Sequence, residues 1–345
     1  MMFFSSPILY SFTLLLSLLL IYQILPPQIS IDEELDDLSL FRKALEPSKK
    51  ISHLATKNPT PKIAFLFLTN SDLTFAPLWE RFFHGNTHLF NIYVHADPFA
   101  QVSIPDSVIF KTQFIPSKRT ERGSSSLISA ERRLLARAIL DDPLNFYFAL
   151  VSQHCIPLHS FKYMYGSLFG TTSNFRAAFA AQSRHKSFIE ILSEDPNLQD
   201  RYNARGENAM LPEVPFEKFK VGSQFFVLAK RHAVLLLKDK KLWRKFKLPC
   251  LNLDSCYPEE HYFPTLLSMA DPRGCSHYTL TNVNWTGSFD GHPYLYQGEE
   301  ISPELVYRLR QSNSSYSYFF ARKFSPECLQ PLMDIADDVI FRDKK

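Results

Sequence analysis

The chain has 345 residues, 45% of them hydrophobic and 21% charged, which is enough to bury one sizeable core or two small ones and excludes global disorder. Its 38 Lys and Arg against 35 Asp and Glu leave a formal net charge of +3, so no global field points to nucleic acid or to a strongly anionic membrane. Partners must be recognised at local sites.

No residue from Met1 to Ile31 carries a charged side chain, and residues 8–25 are nearly all apolar, a run long enough to cross a bilayer core. Leu25-Pro26-Pro27-Gln28 follows where a cleaved leader would have small residues. Residues 8–25 are therefore expected to be a transmembrane signal anchor, residues 1–7 a short cytosolic tail, and the rest a lumenal part of a single-pass type II membrane protein. Residues 26–60 carry an acidic run (Asp32, Glu33, Glu34, Asp36, Asp37), then Lys49-Lys50 and Asn58-Pro59-Thr60-Pro61, and read as a stem with little core of its own. The sequons at Asn284 and Asn313 fit a lumenal location as glycosylation sites. In that oxidising compartment Cys155, Cys250, Cys256, Cys275 and Cys328 allow at most two disulfides, whose pairing the sequence leaves open.

Residues 61–341 read as one α/β unit with a mixed, mostly parallel sheet. Lys62 to Thr69 is a near-continuous apolar strand of the kind buried on both faces. Pro77 to Phe83 reads as a helix, Asn91 to His95 as the second strand, Ser126 to Leu140 as an amphipathic helix stopped by Asp141-Asp142-Pro143, and Asn145 to Ser152 as the third strand. Further on, Gln224 to Ala229 and His277 to Val283 are expected strands and Arg231 to Phe246 a long basic helix. Alternating strands and helices imply a doubly wound sheet with its ligand at the carboxyl ends of the strands.

The absent motifs narrow the chemistry. No two glycines are spaced as G-x-G, which removes the dinucleotide fingerprint and the phosphate-cradling P-loop. No two aspartates are spaced as D-x-D, the usual carboxylate pair for a divalent metal on a nucleotide diphosphate. Phosphate chemistry here is expected to use side-chain cations, with no metal and no cofactor.

Seven segments taken in order are more specific: YVHADP (Tyr93 to Pro98), AERRLLARAILDD (Ala130 to Asp142), SQHCIPL (Ser152 to Leu158), GSQFFVLAKRHA (Gly222 to Ala233), CYPEEHYFPTLL (Cys256 to Leu267), Val283-Asn284-Trp285, and FFARKFSP (Phe319 to Pro326). In this order and spacing the chain resembles the Core-2/I-branching β-1,6-N-acetylglucosaminyltransferase group, glycosyltransferase family 14, and its plant branch in particular. The resemblance implies a Rossmann-like variant of the A-type glycosyltransferase fold and a Golgi location. It also implies inverting, metal-independent transfer from a UDP-sugar, UDP-N-acetylglucosamine above all, to a cell-wall or glycoprotein glycan.

By that resemblance Glu260 is the general base that removes the acceptor proton, with Glu259 beside the acceptor. By residue chemistry alone, both are also ordinary acids in a first helical turn after Pro258. Lys323 resembles the lysine that compensates the departing diphosphate, with Arg322 beside it, and strand alternation turns only one of the two inward. Asp97 follows the second strand, where it either approaches the nucleotide or turns the chain with Pro98. Trp285 resembles an acceptor-lining tryptophan and is equally able to pack in the core. His154-Cys155 reads as structural, since neighbours on a strand point apart.

Three positions depart from the plant pattern. Arg122 stands where a tryptophan is common, Gln153 where an acid is common, and Thr286-Gly287-Ser288 where a second diphosphate-binding cation is common. These departures leave a second reading open, in which a catalytically weak protein keeps the fold to bind glycans or assemble complexes.

Overall fold

The computed structural model describes residues 10–17, 31–46, 59–170, 175–181, 185–288 and 291–343. The elements that place the site begin with α1 (Ile31–Leu45), β1 (Lys62–Thr69), α2 (Ala76–Phe83), β2 (Phe90–Ala96), α3 (Ser125–Asp141) and β3 (Asn145–Ser152). There follow β4 (Ile156–Pro157), β5 (Ser187–Glu190), α4 (Leu198–Asn203), β6 (Val227–Ala229), α5 (Lys230–Lys238) and α6 (Lys241–Phe246). The elements around the site are completed by α7 (Tyr262–Ala270), β7 (Cys275–His277), β8 (Thr281–Val283) and β9 (Phe320–Arg322).

The main sheet has six strands in the order β2-β1-β3-β6-β5-β7. β1 pairs in parallel with β2 and β3, and β5 with β7, while β6 runs antiparallel to both β3 and β5. Five strands thus share one direction, as the apolar runs and crossover helices predict. In β1 every residue after Lys62 is buried, and Phe65 lies in edge or tilted contact with Trp79, Phe82, Phe83, Phe90 and Phe320. This aromatic cluster fixes α2 and β9 against the sheet through large apolar area and favourable ring edges.

A second, three-stranded sheet runs β4-β9-β8. It places Val283 opposite Arg322 and Ile156 opposite Ala321, so the end of β3, the segment after β8 and the FFARKF segment meet.

The expected transmembrane anchor is corrected. Within residues 8–25 only 10–17 are described, as helix. Among the described residues no helix is long and apolar enough to cross a membrane, so the preceding helix is removed from the fold description. Residues 1–7 and 18–25 lie outside the described residues.

Part of the expected stem is helix α1, docked on α3. Asp37, 6% exposed, accepts from Arg133 Nε at 2.6 Å and from Arg133 Nη2 at 2.9 Å. Phe41 and Ala44 are buried on the same face as Asp37, while Asp32 and Asp36 are exposed, so one acid of the run turns inward on an amphipathic element.

Two other expectations change for local reasons. The long basic helix breaks after Lys238, because Asp239 turns its carboxylate onto the amides of Lys241, Leu242 and Trp243 and starts α6 as a side-chain cap does. The strand expected from His277 to Val283 splits at His277, the last residue of β7, whose φ of 66° turns the chain out of extended geometry, and β7 and β8 join different sheets.

Candidate active site

Register aligns the carboxyl ends of three parallel strands, with Thr69 opposite Ala96 and Leu68 opposite Ser152. Asn70, Asp97 and Gln153 follow directly at that edge, where an open α/β sheet binds ligands. Asp97 is committed to the backbone. Its Oδ1 accepts from Phe99 N at 2.8 Å, and its Oδ2 from Thr120 N at 2.8 Å and Thr120 Oγ1 at 2.7 Å. Burial pushes its pKa up, and these donors together with His95 outweigh that and hold it below the usual carboxylate value. Asp97 therefore ties the loop after β2 to the segment before α3. Gln153 donates to Asn70 Oδ1 at 2.8 Å and joins the loops after β1 and β3.

Arg322 and Lys323 stand across this edge at the end of β9. Arg322 is the enclosed one: its guanidinium carbon lies 4.3 Å from the Phe225 ring centroid, and its buried Nε has no hydrogen-bond partner among the described residues. Burial lowers its pKa, while Cys155 and Glu260 act to raise it. Lys323 is half-buried beside His154, whose pKa is pushed down to about 4, first by burial and then by the Lys323 charge. His154 is thus a neutral ring at pH 7, with Nδ1 3.1 Å from Phe324 O. Cys155 is buried in the core, consistent with a structural role for this pair.

Glu260 ends a single 3-10 turn, Pro258–Glu260, that precedes α7. Pro264 falls in the first turn of α7, where a missing N–H loses no helical bond. The Glu260 amide donates to Tyr257 O at 3.0 Å and its carbonyl accepts from Gly222 N at 2.9 Å. Only glycine fits at 222, since a Cβ there would lie 2.0 Å from Glu190 O. The Glu260 carboxylate is partly open, with 29% of the side chain exposed and Oε2 2.7 Å from Arg201 Nη1. Its Oε1 accepts no hydrogen bond from the described residues. Glu190 lies close by, held by Ser223 N at 2.9 Å; burial first, and the Glu260 charge after it, raise its pKa.

Glu259 goes the opposite way. A tight turn sends successive side chains apart, and Glu259 is 4% exposed, with Oε1 accepting from Gly123 N at 3.1 Å and Oε2 buried without a partner. Burial raises its pKa to about 7, and the Glu260 charge adds to the rise. The carboxylate expected beside the acceptor is therefore beneath the cleft, facing the 120s loop.

On the open side Trp285 is 52% exposed, so this tryptophan is a surface plane rather than core. Asn284 is half-buried, its amide donating to Tyr296 Oη at 3.2 Å and its Oδ1 accepting from Thr286 N at 3.0 Å. Asn313 is exposed in a loop. Among the described residues no group of three or more His, Cys, Asp or Glu is arranged to hold a metal ion.

With this geometry in place, the model of the Core-2/I-branching enzyme family matches residues 63–310. The chain belongs to that family. It is also similar to the rice (Oryza sativa subsp. japonica) protein named Glycosyltransferase BC10, at 27% identity over 325 aligned residues covering 80% of this chain and 76% of the relative. This Core-2/I-branching enzyme is a glycosyltransferase, with a sugar donor and a glycan acceptor as its substrates.

Three residues of the cleft had no role assigned from the sequence: Arg201 on α4 and Arg122 before α3, outside every quoted segment, and Tyr257, inside CYPEEHYFPTLL. Arg122 was visible only as a departure, and the structure gives it a partner, with Nη2 donating to Gly291 O at 2.7 Å and Nη1 against the His292 ring. Cys250 and Cys256 form a disulfide that closes the loop leading into Tyr257, while Cys155, Cys275 and Cys328 are buried and free.

Proposed function

We propose that this family member is an inverting, metal-independent transferase that moves N-acetylglucosamine in β-1,6 linkage from a UDP-sugar to a cell-wall or glycoprotein glycan. The carrying observation is that one partly open carboxylate, Glu260, has Arg201 on one oxygen and no partner among the described residues on the other, while Arg322 lies within its electrostatic reach. The acceptor hydroxyl attacks the anomeric carbon from the face opposite the diphosphate, and Oε1 of Glu260 takes its proton. The charge that develops on the leaving diphosphate is met by Arg322 and Lys323, acting in a partly dry cleft where a fixed cation is worth more than in water. Trp285 supplies a flat face for the C–H side of an acceptor ring.

UDP release from a panel of sugar nucleotides, measured with and without EDTA, tests the reading. UDP-N-acetylglucosamine should lead the panel and chelation should leave turnover unchanged. Manganese-dependent recovery after EDTA would overturn metal independence, and no release from any donor would overturn the transfer reading.

A Golgi lumen suits the same reading, supported by the Cys250–Cys256 disulfide and the exposed Asn313 sequon. Asn313→Gln should remove one glycosidase-sensitive mobility step from the secreted-pathway protein while leaving turnover within about twofold, as expected for a surface position.

A further inference from the structure

Tyr257 has a backbone that tyrosine rarely adopts, φ 34° and ψ 60°, in the left-handed region. A bulky residue stays there only when its surroundings over-determine it. The surroundings are specific. The Arg122 guanidinium carbon lies 5.6 Å from the Tyr257 ring centroid and that of Arg201 lies 5.3 Å from it. Two like charges that would otherwise repel are thus gathered on one π system, which attracts both.

Each guanidinium carries a second contact. Arg201 holds Oε2 of Glu260 at 2.7 Å, and Arg122 holds Gly291 O at 2.7 Å in the loop that follows Trp285. The tyrosine's own carbonyl receives the Glu260 amide at 3.0 Å. On its N-terminal side the Cys250–Cys256 disulfide closes the loop, and Gly123, next to Arg122, donates to Glu259 at 3.1 Å. The Tyr257 ring is therefore the point where the base, the arginine on it and the loop behind the exposed tryptophan all meet.

We propose that Tyr257 is a positioning residue for the transfer: its ring fixes Arg201 so that Oε2 of Glu260 is held and Oε1 faces the acceptor, and it couples that orientation through Arg122 to the Gly291–His292 loop. This rests on the reading of Glu260 as the base. The active element is the ring face, since it is the face that both cations approach. Arg201 acts on one carboxylate oxygen only, so losing the ring frees the carboxylate to rotate and spoils the alignment of base with acceptor hydroxyl, while the sugar nucleotide at the sheet edge is untouched.

The test compares Tyr257→Ala, Tyr257→Phe, Arg201→Ala and the Tyr257→Ala/Arg201→Ala double variant of the full chain. Tyr257→Ala should lower kcat roughly tenfold or more with donor KM within about twofold, and Tyr257→Phe should stay within about threefold of the parent. The double variant should be no slower than Arg201→Ala alone, because a residue acting through another shows no additional loss. Amide exchange of the free protein supplies a readout independent of turnover: the Glu260 and His261 amides should exchange faster in Tyr257→Ala and at the parent rate in Tyr257→Phe. Unchanged exchange and kcat in Tyr257→Ala would overturn the proposal. So would Tyr257→Phe matching Tyr257→Ala with unaltered melting, or additive losses in the double variant. If the parent itself transfers no sugar, the proposed function fails, and the exchange comparison still decides whether the ring holds the turn.

Discussion

On one side of the cleft Asn70, Asp97 and Gln153 are placed by three parallel strands in register, and their side chains bond mostly to backbone or to each other. On the other side Arg122, Arg201 and the Tyr257–Glu260 turn come from three segments far apart in sequence and meet through side chains. The sheet edge is a rigid platform whose parts cannot move singly. The loop side is a set of pairwise contacts, each removable. Substitutions on the two sides should therefore fail differently, with lost binding at the edge and lost alignment in the loops.

The largest effect is expected at Glu260. Glu260→Gln keeps the shape and removes the proton acceptor, so kcat should fall roughly a hundredfold or more while UDP affinity stays near that of the parent. Isothermal titration with UDP, run beside turnover and melting, separates the two. Near-normal transfer by this variant, with unchanged melting, would show that another acid removes the proton.

Arg322 sharpens the contrast. As an enclosed guanidinium without a partner on Nε, it is expected to act on the ground state and the transition state alike. Arg322→Ala should weaken UDP binding roughly tenfold and lower kcat/KM by at least as much, the scale for a charge-assisted contact to phosphate. A variant with normal UDP affinity and low kcat would move Arg322 to the alignment side of the cleft.

These differences also explain what the sequence made readable. Lys62–Thr69 and Asn145–Ser152 were read with the bounds the structure has, because a strand buried on both faces must be apolar throughout and announces its own length. The parallel run of β1, β2 and β3, on which the expectation of a ligand at the carboxyl edge rests, was also legible from the apolar runs. The break of the basic helix did not, since it depends on Asp239 choosing three amides of the next turn over solvent. The transmembrane expectation rested on the apolar composition of residues 8–25, and among the described residues no helix is long and apolar enough to cross a membrane. The pairing of Arg201 with Tyr257 gave no signal because a side-chain contact between distant segments leaves no period in the sequence. Glu259 and Glu260 were identified as a pair, yet only the tight turn decided that one faces the cleft and the other the core.

That division between the two glutamates can be measured through proton linkage. Burial raises the Glu259 pKa from the ordinary 4.5 to about 7, so between those values the unfolded chain has released the proton and the folded one still holds it. Stability must then fall as pH rises from about 4.5 to about 7 and level off above, by up to about 3 kcal/mol if the whole shift is realised. Glu131, buried nearby and also raised by burial first, adds to the same slope. Glu259→Gln keeps the neutral form at every pH, so the variant's melting temperature should gain on the parent's steadily between pH 5 and pH 7, while turnover changes by less than about threefold. Other titrating groups cancel in the difference between the two proteins. A difference that does not vary with pH would mean that Glu259 is ionised throughout. It would then be a buried carboxylate paired well enough to stay charged, and Arg205, whose pKa falls to about 10 through burial and is raised by Glu259, would be its partner.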